Sequence, residues 1–172
     1  SRIMKAMNRG YDRERYLKLV ETIRRFVPDA VITTDLIVGF PGETEKDFED
    51  TLDLLRTVEY DDAFTFIYSP RKGTPAASFE AQVPDEVKHE RLDRLMALQN
   101  EICLERNKRL VGKTLAVMVE GPSKSNPAML SGRTDGNDLV LWPKIRDHAP
   151  GDLVNVKMER AQTWLIRGKE EA

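Results

Sequence analysis

The chain has 172 residues, of which 40% are hydrophobic and 33% are charged. This is a globular composition, which excludes a disordered tail, and the length fits one domain or two small ones. The 27 basic and 29 acidic residues give a net charge of -2, so the whole-chain charge does not indicate a nucleic-acid partner. The longest apolar run, 30–40, is interrupted by polar residues and has about half the length that a membrane-spanning helix needs. We therefore expect no membrane span.

The first half of the chain has the pattern of a βαβ unit. Asp12 is a suitable N-cap for a helix with apolar residues at helical spacing, and residues 30–40 predict a strand buried on both faces. Thr44 is a suitable cap for a second helix, and aromatic residues alternate in a second predicted strand, 64–68. A strand, a helix of about four turns and a strand predict two parallel strands joined by a right-handed crossover.

Two parallel strands are not expected to form a stable sheet by themselves, because sheets of this kind need both faces covered. We therefore expect residues 1–110 to be a fragment of a larger α/β domain. Within it, residues 70–83 predict an irregular connection, and a long helix is predicted over 84–110.

After Gly112 the apolar period changes from 3.6 to 2, and turn residues separate five short predicted strands. This pattern is typical of a small closed barrel, which we expect to be antiparallel. The sequence thus predicts an α/β domain over 1–110 followed by a barrel domain over 111–172. The five predicted strands are 115–120, 130–134, 139–142, 153–158 and 163–167.

Asp35 is an unusual residue in the first predicted strand, because a buried carboxylate without a partner is costly. On a period of two it shares a face with Thr33, Ile37 and Gly39, which favours a site on one side of the sheet. A purely structural role for this carboxylate is an equally good interpretation. The turn 39–44 lies where α/β folds bind ligands, but a tight capped turn explains it equally well.

The predicted barrel interleaves cations with Trp142 and Trp164, a combination that RNA binding by a small barrel requires. Both tryptophans have core packing as an equally good interpretation. The cations in question are Lys113, Lys124, Arg133, Lys144, Arg160 and Arg167.

A single cysteine, Cys103, excludes an internal disulfide framework, and with only His89 and His148 no zinc site of known spacing can be formed. We expect Cys103 to be a packed thiol, both histidines to be solvated and the compartment to be a reducing cytoplasm.

Several segments, taken in their order and spacing, resemble the radical S-adenosylmethionine (SAM) methylthiotransferases. Val-Gly-Phe-Pro-Gly-Glu-Thr stands at 38–44, and the segments 64–71 and 73–77 follow it. The segments 7–11, 119–124 and 132–134 resemble the members of this family that modify tRNA. The resemblance covers essentially the whole chain.

The resemblance implies a C-terminal portion of a radical-SAM partial (β/α) barrel, including the linking helix 84–110, followed by a TRAM domain that holds tRNA. Such enzymes add a methylthio group to C2 of N6-dimethylallyladenosine beside the anticodon. They use SAM and two 4Fe-4S clusters, and the implied partners are the tRNA anticodon stem-loop, a sulfur donor and an electron donor. A monomer without a membrane partner is expected.

The resemblance also implies two sets of binding residues. Those expected to contact SAM are Asp35, Ile37, Gly39, Tyr68 and Ser69. Those expected to contact RNA are Lys113, Lys124, Arg133, Lys144 and Arg167. The family's strand motif Gly-x-Ile-x-Gly-x-x-Glu is altered here, because Asp35 replaces its first glycine and Glu43 stands one place late.

No catalytic or metal-binding residue is expected in this chain. Both clusters need cysteine thiolates, and Cys103 is the only cysteine, so we expect the ligands upstream of Ser1 and no activity from the chain alone. The alternatives within the family are action on threonylcarbamoyladenosine in tRNA and, more distantly, on a ribosomal protein aspartate. A tRNA-binding module without chemistry is the alternative from another class.

Overall fold

The computed structural model describes residues 2–171 and divides between Ile102 and Cys103 into two compact units. The first contains two parallel strands and the helices that pack on them. Its elements are α1 (Arg2–Ala6), α2 (Arg13–Phe26), β1 (Thr33–Val38), α3 (Glu45–Val58), β2 (Asp62–Ile67), a 3-10 turn (Pro75–Ser78) and α4 (Asp85–Lys108) up to Ile102.

The two helices that flank β1 begin at the caps that the sequence predicts. The Asp12 side chain accepts a hydrogen bond from the Arg15 backbone N–H at the start of α2. At the start of α3, Thr44 and Asp47 form a capping box, in which each side chain accepts a hydrogen bond from the backbone N–H of the other. These bonds satisfy backbone groups that have no partner within the helix.

Strands β1 and β2 are parallel and in register from Thr33 opposite Asp62 to Val38 opposite Ile67, which confirms the βαβ prediction. The prediction that β1 is buried on both faces is wrong. Its even-numbered residues face the helices, whereas Thr33, Asp35 and Ile37 are exposed, because the helices cover one face of the sheet. The core consists of Val20, Val38, Phe48, Leu52, Leu55, Val58, Tyr60, Leu95 and Ile102.

The second unit contains a closed five-stranded barrel, as the sequence predicts. The barrel is not antiparallel throughout, because β5 and β7 pair in parallel. An odd number of strands in a closed ring cannot alternate in direction at every pairing, so at least one pair must be parallel. In the order β3-β4-β5-β7-β6, the strands are β3 (Thr114–Ser123), β4 (Asn126–Thr134), β5 (Leu139–Pro143), β7 (Ile166–Glu170) and β6 (Leu153–Ala161).

Trp142 is 0% exposed and belongs to the barrel core. Of its two interpretations, core packing is therefore confirmed, and stacking with RNA is not. Cys103 is buried, as predicted. The prediction that His148 is solvated is wrong: its side chain is mostly buried, and its Nε2 lies 3.1 Å from Oε1 of the buried Glu170. A buried carboxylate needs polar partners, and the imidazole is one of them.

None of the helices in residues 2–171 combines the length and apolar composition that a membrane crossing requires.

Candidate functional site

The carboxyl ends of β1 and β2 lie side by side, because the strands are parallel and in register. The Tyr68 backbone N–H donates to the Val38 carbonyl at 2.8 Å, which extends the ladder by one bond beyond the strands. Gly39 and Tyr68 therefore leave the sheet at the same edge. This is the edge at which α/β folds bind their ligands.

The uncovered face of this sheet carries apolar side chains and two carboxylates, Asp35 and Asp62. Asp35 is opposite Phe64 and Ile37 is opposite Phe66, and all four side chains are exposed. Ile37 is 39% exposed, and the two phenylalanines are 60% and 51% exposed. Asp35 is therefore not the buried charge that the sequence pattern indicates. It stands on an open face whose aromatic residues are suited to contact a flat ligand.

A cavity of about 410 Å³ lies beside β1 and is large enough for part of a nucleoside-sized ligand. Asp35 and Ile37 line it, together with Met4, Met7 and Tyr11 from the amino-terminal segment. Two of the residues expected at a cofactor site thus border one concave space.

Gly39 begins the turn after β1 in a conformation that favours glycine. Its φ is +75°, and a Cβ added there would lie 2.4 Å from Cγ of Lys88. Its backbone N–H donates to Oε1 of Glu43 at 2.9 Å. The end of the turn is fixed as well, because the Gly42 N–H donates to the Ala81 carbonyl at 2.7 Å.

Glu43 links this turn to α4. Its Oε1 also accepts a hydrogen bond from Nη1 of Arg91 at 2.8 Å, and both side chains are 5% exposed. Burial raises the pKa of the Glu43 carboxyl above its usual value, although the Gly39 N–H and the Arg91 guanidinium oppose the rise. One carboxylate therefore holds both the turn and the helix behind it.

Tyr68 packs its ring edge-to-face against Phe40, with 5.1 Å between the ring centroids. Its hydroxyl oxygen is buried and has no hydrogen-bond partner within residues 2–171. Ser69 follows it and is exposed. The candidate site thus has a buried polar atom whose hydrogen-bonding capacity is unused.

In the barrel, only Arg133 and Arg167 of the five cations expected to contact RNA lie within strands. No two of them are opposite partners in the described strand ladders. The Arg133 guanidinium donates to the Asn137 carbonyl at 2.8 Å, and its Nε lies 3.6 Å from Oε1 of Glu120. Nζ of Lys144 lies 2.8 Å from Oδ1 of Asp147.

The remaining three, Lys113, Lys124 and Arg167, are exposed, and only Arg167 lies opposite another cation, Arg160. Lys157 and Lys169, which were not among the predicted RNA contacts, are opposite each other on the same two strands. Both lysines lie at alternate, exposed positions of the segments 153–158 and 166–170, and this period of two is the pattern from which they could be identified.

Comparisons with known proteins agree with this geometry. Residues 1–55 match the Radical SAM superfamily, and residues 108–169 match the TRAM domain. The chain is 56% identical to the tRNA-2-methylthio-N(6)-dimethylallyladenosine synthase of Moorella thermoacetica, over 98% of this chain and 38% of that protein. It is 53% identical to the synthase of the same name from Clostridium botulinum strain Hall, over 99% and 38%. The chain is therefore similar, over nearly its whole length, to proteins that bear this name.

The two family matches overlap the two candidate sites. The Radical SAM match includes β1, the turn at Gly39 and the capping box of α3. The TRAM match includes all of β3 to β6 and most of β7. The chain spans 38% of the length of the two synthases named above.

An iron–sulfur cluster does not fit the residues of this chain. Cys103 is its only cysteine and is buried, whereas a cluster of this type needs several thiolates. Within residues 2–171, no three His, Cys, Asp or Glu side chains are grouped so that they could hold a metal ion. No chemistry of such a cluster is therefore assigned to these residues.

Proposed function

We propose that this chain is part of a tRNA methylthiotransferase that converts N6-dimethylallyladenosine, next to the anticodon, to its 2-methylthio derivative. The observation that carries the proposal is the 56% identity over 98% of the chain to a relative named for that product. The open end of the β1–β2 sheet and the closed barrel provide a site for a cofactor and a site for RNA. Residues 1–110 would serve the first role and residues 111–172 the second.

The residues at the sheet edge fit SAM in chemical type. Ile37 offers an exposed apolar surface to the adenine ring, and Asp35 beside it can accept hydrogen bonds from hydroxyl or amino groups. Gly39 and Tyr68 leave the sheet at the same edge, and Ser69, directly after Tyr68, offers an exposed hydroxyl group there. When bound, SAM supplies the methyl group and, after reductive cleavage, the radical that activates the adenosine.

The proposal places both 4Fe-4S clusters on residues outside this chain, because this chain lacks their thiolates. A sulfur donor and an electron donor are then required as partners, and the chain by itself is inactive. We also propose a monomer in the cytoplasm, which agrees with the single buried cysteine.

The barrel would hold the anticodon stem-loop through phosphate contacts from exposed cations. Three of these cations are exposed and need no rearrangement to contact a phosphate: Lys113, Lys124 and Arg167. Arg133 and Lys144 must first release the carboxylates with which they form salt bridges. The barrel therefore contributes affinity for RNA and no chemistry.

The test is to assay the whole protein that contains this chain, with its clusters rebuilt, on tRNA carrying either N6-dimethylallyladenosine or threonylcarbamoyladenosine. We expect a methylthio product from the first tRNA only, measured by mass spectrometry of the digested nucleosides. A product from the second tRNA only would assign the chain to the other tRNA-modifying group of the family. Tight tRNA binding with no product from either would favour a binding module.

A further inference from the structure

The hairpin formed by β6, β7 and their connection, residues 153–170, carries four cations that face each other in pairs. We call it the β6–β7 ribbon. Lys157 is opposite Lys169, and Arg160 is opposite Arg167. All four side chains are exposed. Side chains that are directly opposite on antiparallel strands have Cβ atoms about 5 Å apart, so each pair concentrates two positive charges.

This pairing is unfavourable for the barrel itself, because like charges directly opposite each other destabilise a sheet. Among residues 2–171, no carboxylate forms a salt bridge with any of the four cations. Elsewhere in the unit, Arg133 and Lys144 both have acidic neighbours. Glu159 is exposed between Lys157 and Arg160 but forms no salt bridge with either of them. No ion pair within the described chain therefore relieves the repulsion in the two cation pairs, and a polyanion would relieve it.

Trp164 lies in the connection between the two strands and is 65% exposed. Its backbone is held firmly: the Gln162 N–H donates to the Leu165 carbonyl at 2.9 Å. The Asn107 amide donates to the Gln162 and Thr163 carbonyls at 2.8 and 3.2 Å. A large aromatic side chain on a fixed turn is a preformed surface for stacking.

We propose that the β6–β7 ribbon binds a single-stranded segment of RNA, with its phosphates along the paired cations and one base stacked on Trp164. The proposal rests on the proposed function, since the RNA is taken to be part of the tRNA substrate. Lys169 and Arg167 are two residues apart, which is about 7 Å along β7, and a bulge lies between their partners on β6, so the two pairs can contact neighbouring phosphates. The combination of cations with an aromatic ring favours an unpaired strand, whose bases are free to stack, over a duplex.

The decisive variant is Lys157→Glu, because it separates binding from stability. It places a carboxylate opposite Lys169, so the thermal midpoint of the barrel should stay the same or rise. The affinity for RNA should fall at least tenfold, since the positive charge of Lys157 is removed and that of Lys169 is neutralised. The matched control is Lys18→Glu, which makes the same change at an exposed lysine of α2 and should leave RNA affinity within twofold.

The probes are a single-stranded 12-nucleotide RNA of mixed sequence, a duplex of the same length and an abasic strand, each titrated into the full chain. Tryptophan fluorescence reports the contact directly, because Trp164 is exposed and Trp142 is buried. We expect the single strand to quench the fluorescence, and Trp164→Phe to remove the quenching. The slope of log affinity against log salt should become shallower by about 0.7 for each phosphate that the Lys157→Glu variant no longer neutralises.

The outcomes distinguish the ribbon from the function of the whole protein. RNA binding that is unaffected by both Lys157→Glu and Trp164→Phe would overturn the ribbon proposal and leave the methylthiotransferase proposal standing. Equal binding of the single strand, the duplex and the abasic strand would also overturn it, since no unpaired base would be recognised. Absence of the methylthio product in the assay of the whole protein, with ribbon binding intact, would overturn the proposed function alone.

Discussion

The Arg91 guanidinium and the Glu43 carboxylate form a salt bridge of 2.8 Å in which both side chains are 5% exposed. Arg91 also donates to the Glu43 backbone carbonyl at 3.2 Å, while Glu43 accepts from the Gly39 N–H. Removing two charges from water is costly, so such a pair contributes little net stability. What it does is fix the position of the turn that follows β1 relative to α4.

Arg91→Met should lower the free energy of unfolding by about 3–5 kcal/mol at pH 7, because it leaves the Glu43 carboxylate buried without its charged partner. Urea unfolding measures this decrease. The double variant Arg91→Met/Glu43→Gln should recover much of it, since no uncompensated charge remains. If the effects of the two single substitutions simply add in the double variant, the residues are not coupled.

The Arg91→Met variant should also have a distinct pH dependence. Burial already raises the pKa of Glu43 in the folded state, and removal of the guanidinium takes away an opposing cause. The folded state then binds a proton more readily than the unfolded state, so stability falls as the pH rises through the raised pKa. The variant should therefore regain stability as the pH is lowered from 7 towards 5. Equal destabilisation at pH 7 and pH 5 would show that the buried charge of Glu43 is not the cause of the instability of Arg91→Met.

Gly39→Ala should destabilise the first unit by more than Gly73→Ala. Both glycines have a positive φ, +75° and +87°, so both substitutions strain the backbone. Only at Gly39 would the new Cβ also meet a side chain, at 2.4 Å from Lys88 Cγ, whereas nothing lies within 4 Å at Gly73. Chemical denaturation of the two variants gives the difference, which we expect to be about 1–3 kcal/mol. Equal destabilisation would mean that Lys88 moves aside at no cost.

Thr44→Ala should cost about 1 kcal/mol at neutral pH, because the capping box of α3 is broken. The matched control is Thr57→Ala, in the same helix, where alanine replaces a hydroxyl that bonds only to the Asp53 carbonyl within the helix. That control should change stability by less than about 0.5 kcal/mol.

The acid limb of the stability curve should change in Thr44→Ala. Burial would raise the pKa of the Asp47 carboxyl, but the hydrogen bonds from the Thr44 hydroxyl and N–H and from Arg2 together hold it below its usual value. This group therefore stabilises the fold above about pH 4 and stops doing so as the pH falls through its lowered folded-state pKa. Without the Thr44 hydroxyl, the decrease in stability on acidification should be smaller. An unchanged loss of stability on acidification would show that Arg2 and the Thr44 backbone N–H are sufficient to keep the pKa of Asp47 low.

Local signals in the sequence were enough for the caps at Asp12 and Thr44, because each cap depends on residues close together in the chain. The order and the period of the predicted elements were enough for the parallel β1–β2 pair and the closed barrel. The parallel β5–β7 pair and the cation pairs on the β6–β7 ribbon depend on register between strands, which periodicity does not determine. The Arg91–Glu43 salt bridge joins residues 48 positions apart, so no local pattern predicts it. The exposure of Asp35 depends on which face the helices cover, and that is also non-local.

Asp35→Ala in the whole protein should lower the rate of SAM cleavage more than it lowers the affinity for tRNA. The carboxylate lies on the open face of the sheet beside Ile37 and borders the cavity, whereas the proposed RNA contacts are in the barrel. Stability should change little, because the side chain is exposed. The control is Asp29→Ala, which removes an exposed carboxylate outside the cavity lining and should leave cleavage unchanged. A variant that cleaves SAM normally but binds tRNA weakly would show that the cofactor pocket lies elsewhere and that this face of the sheet contacts RNA.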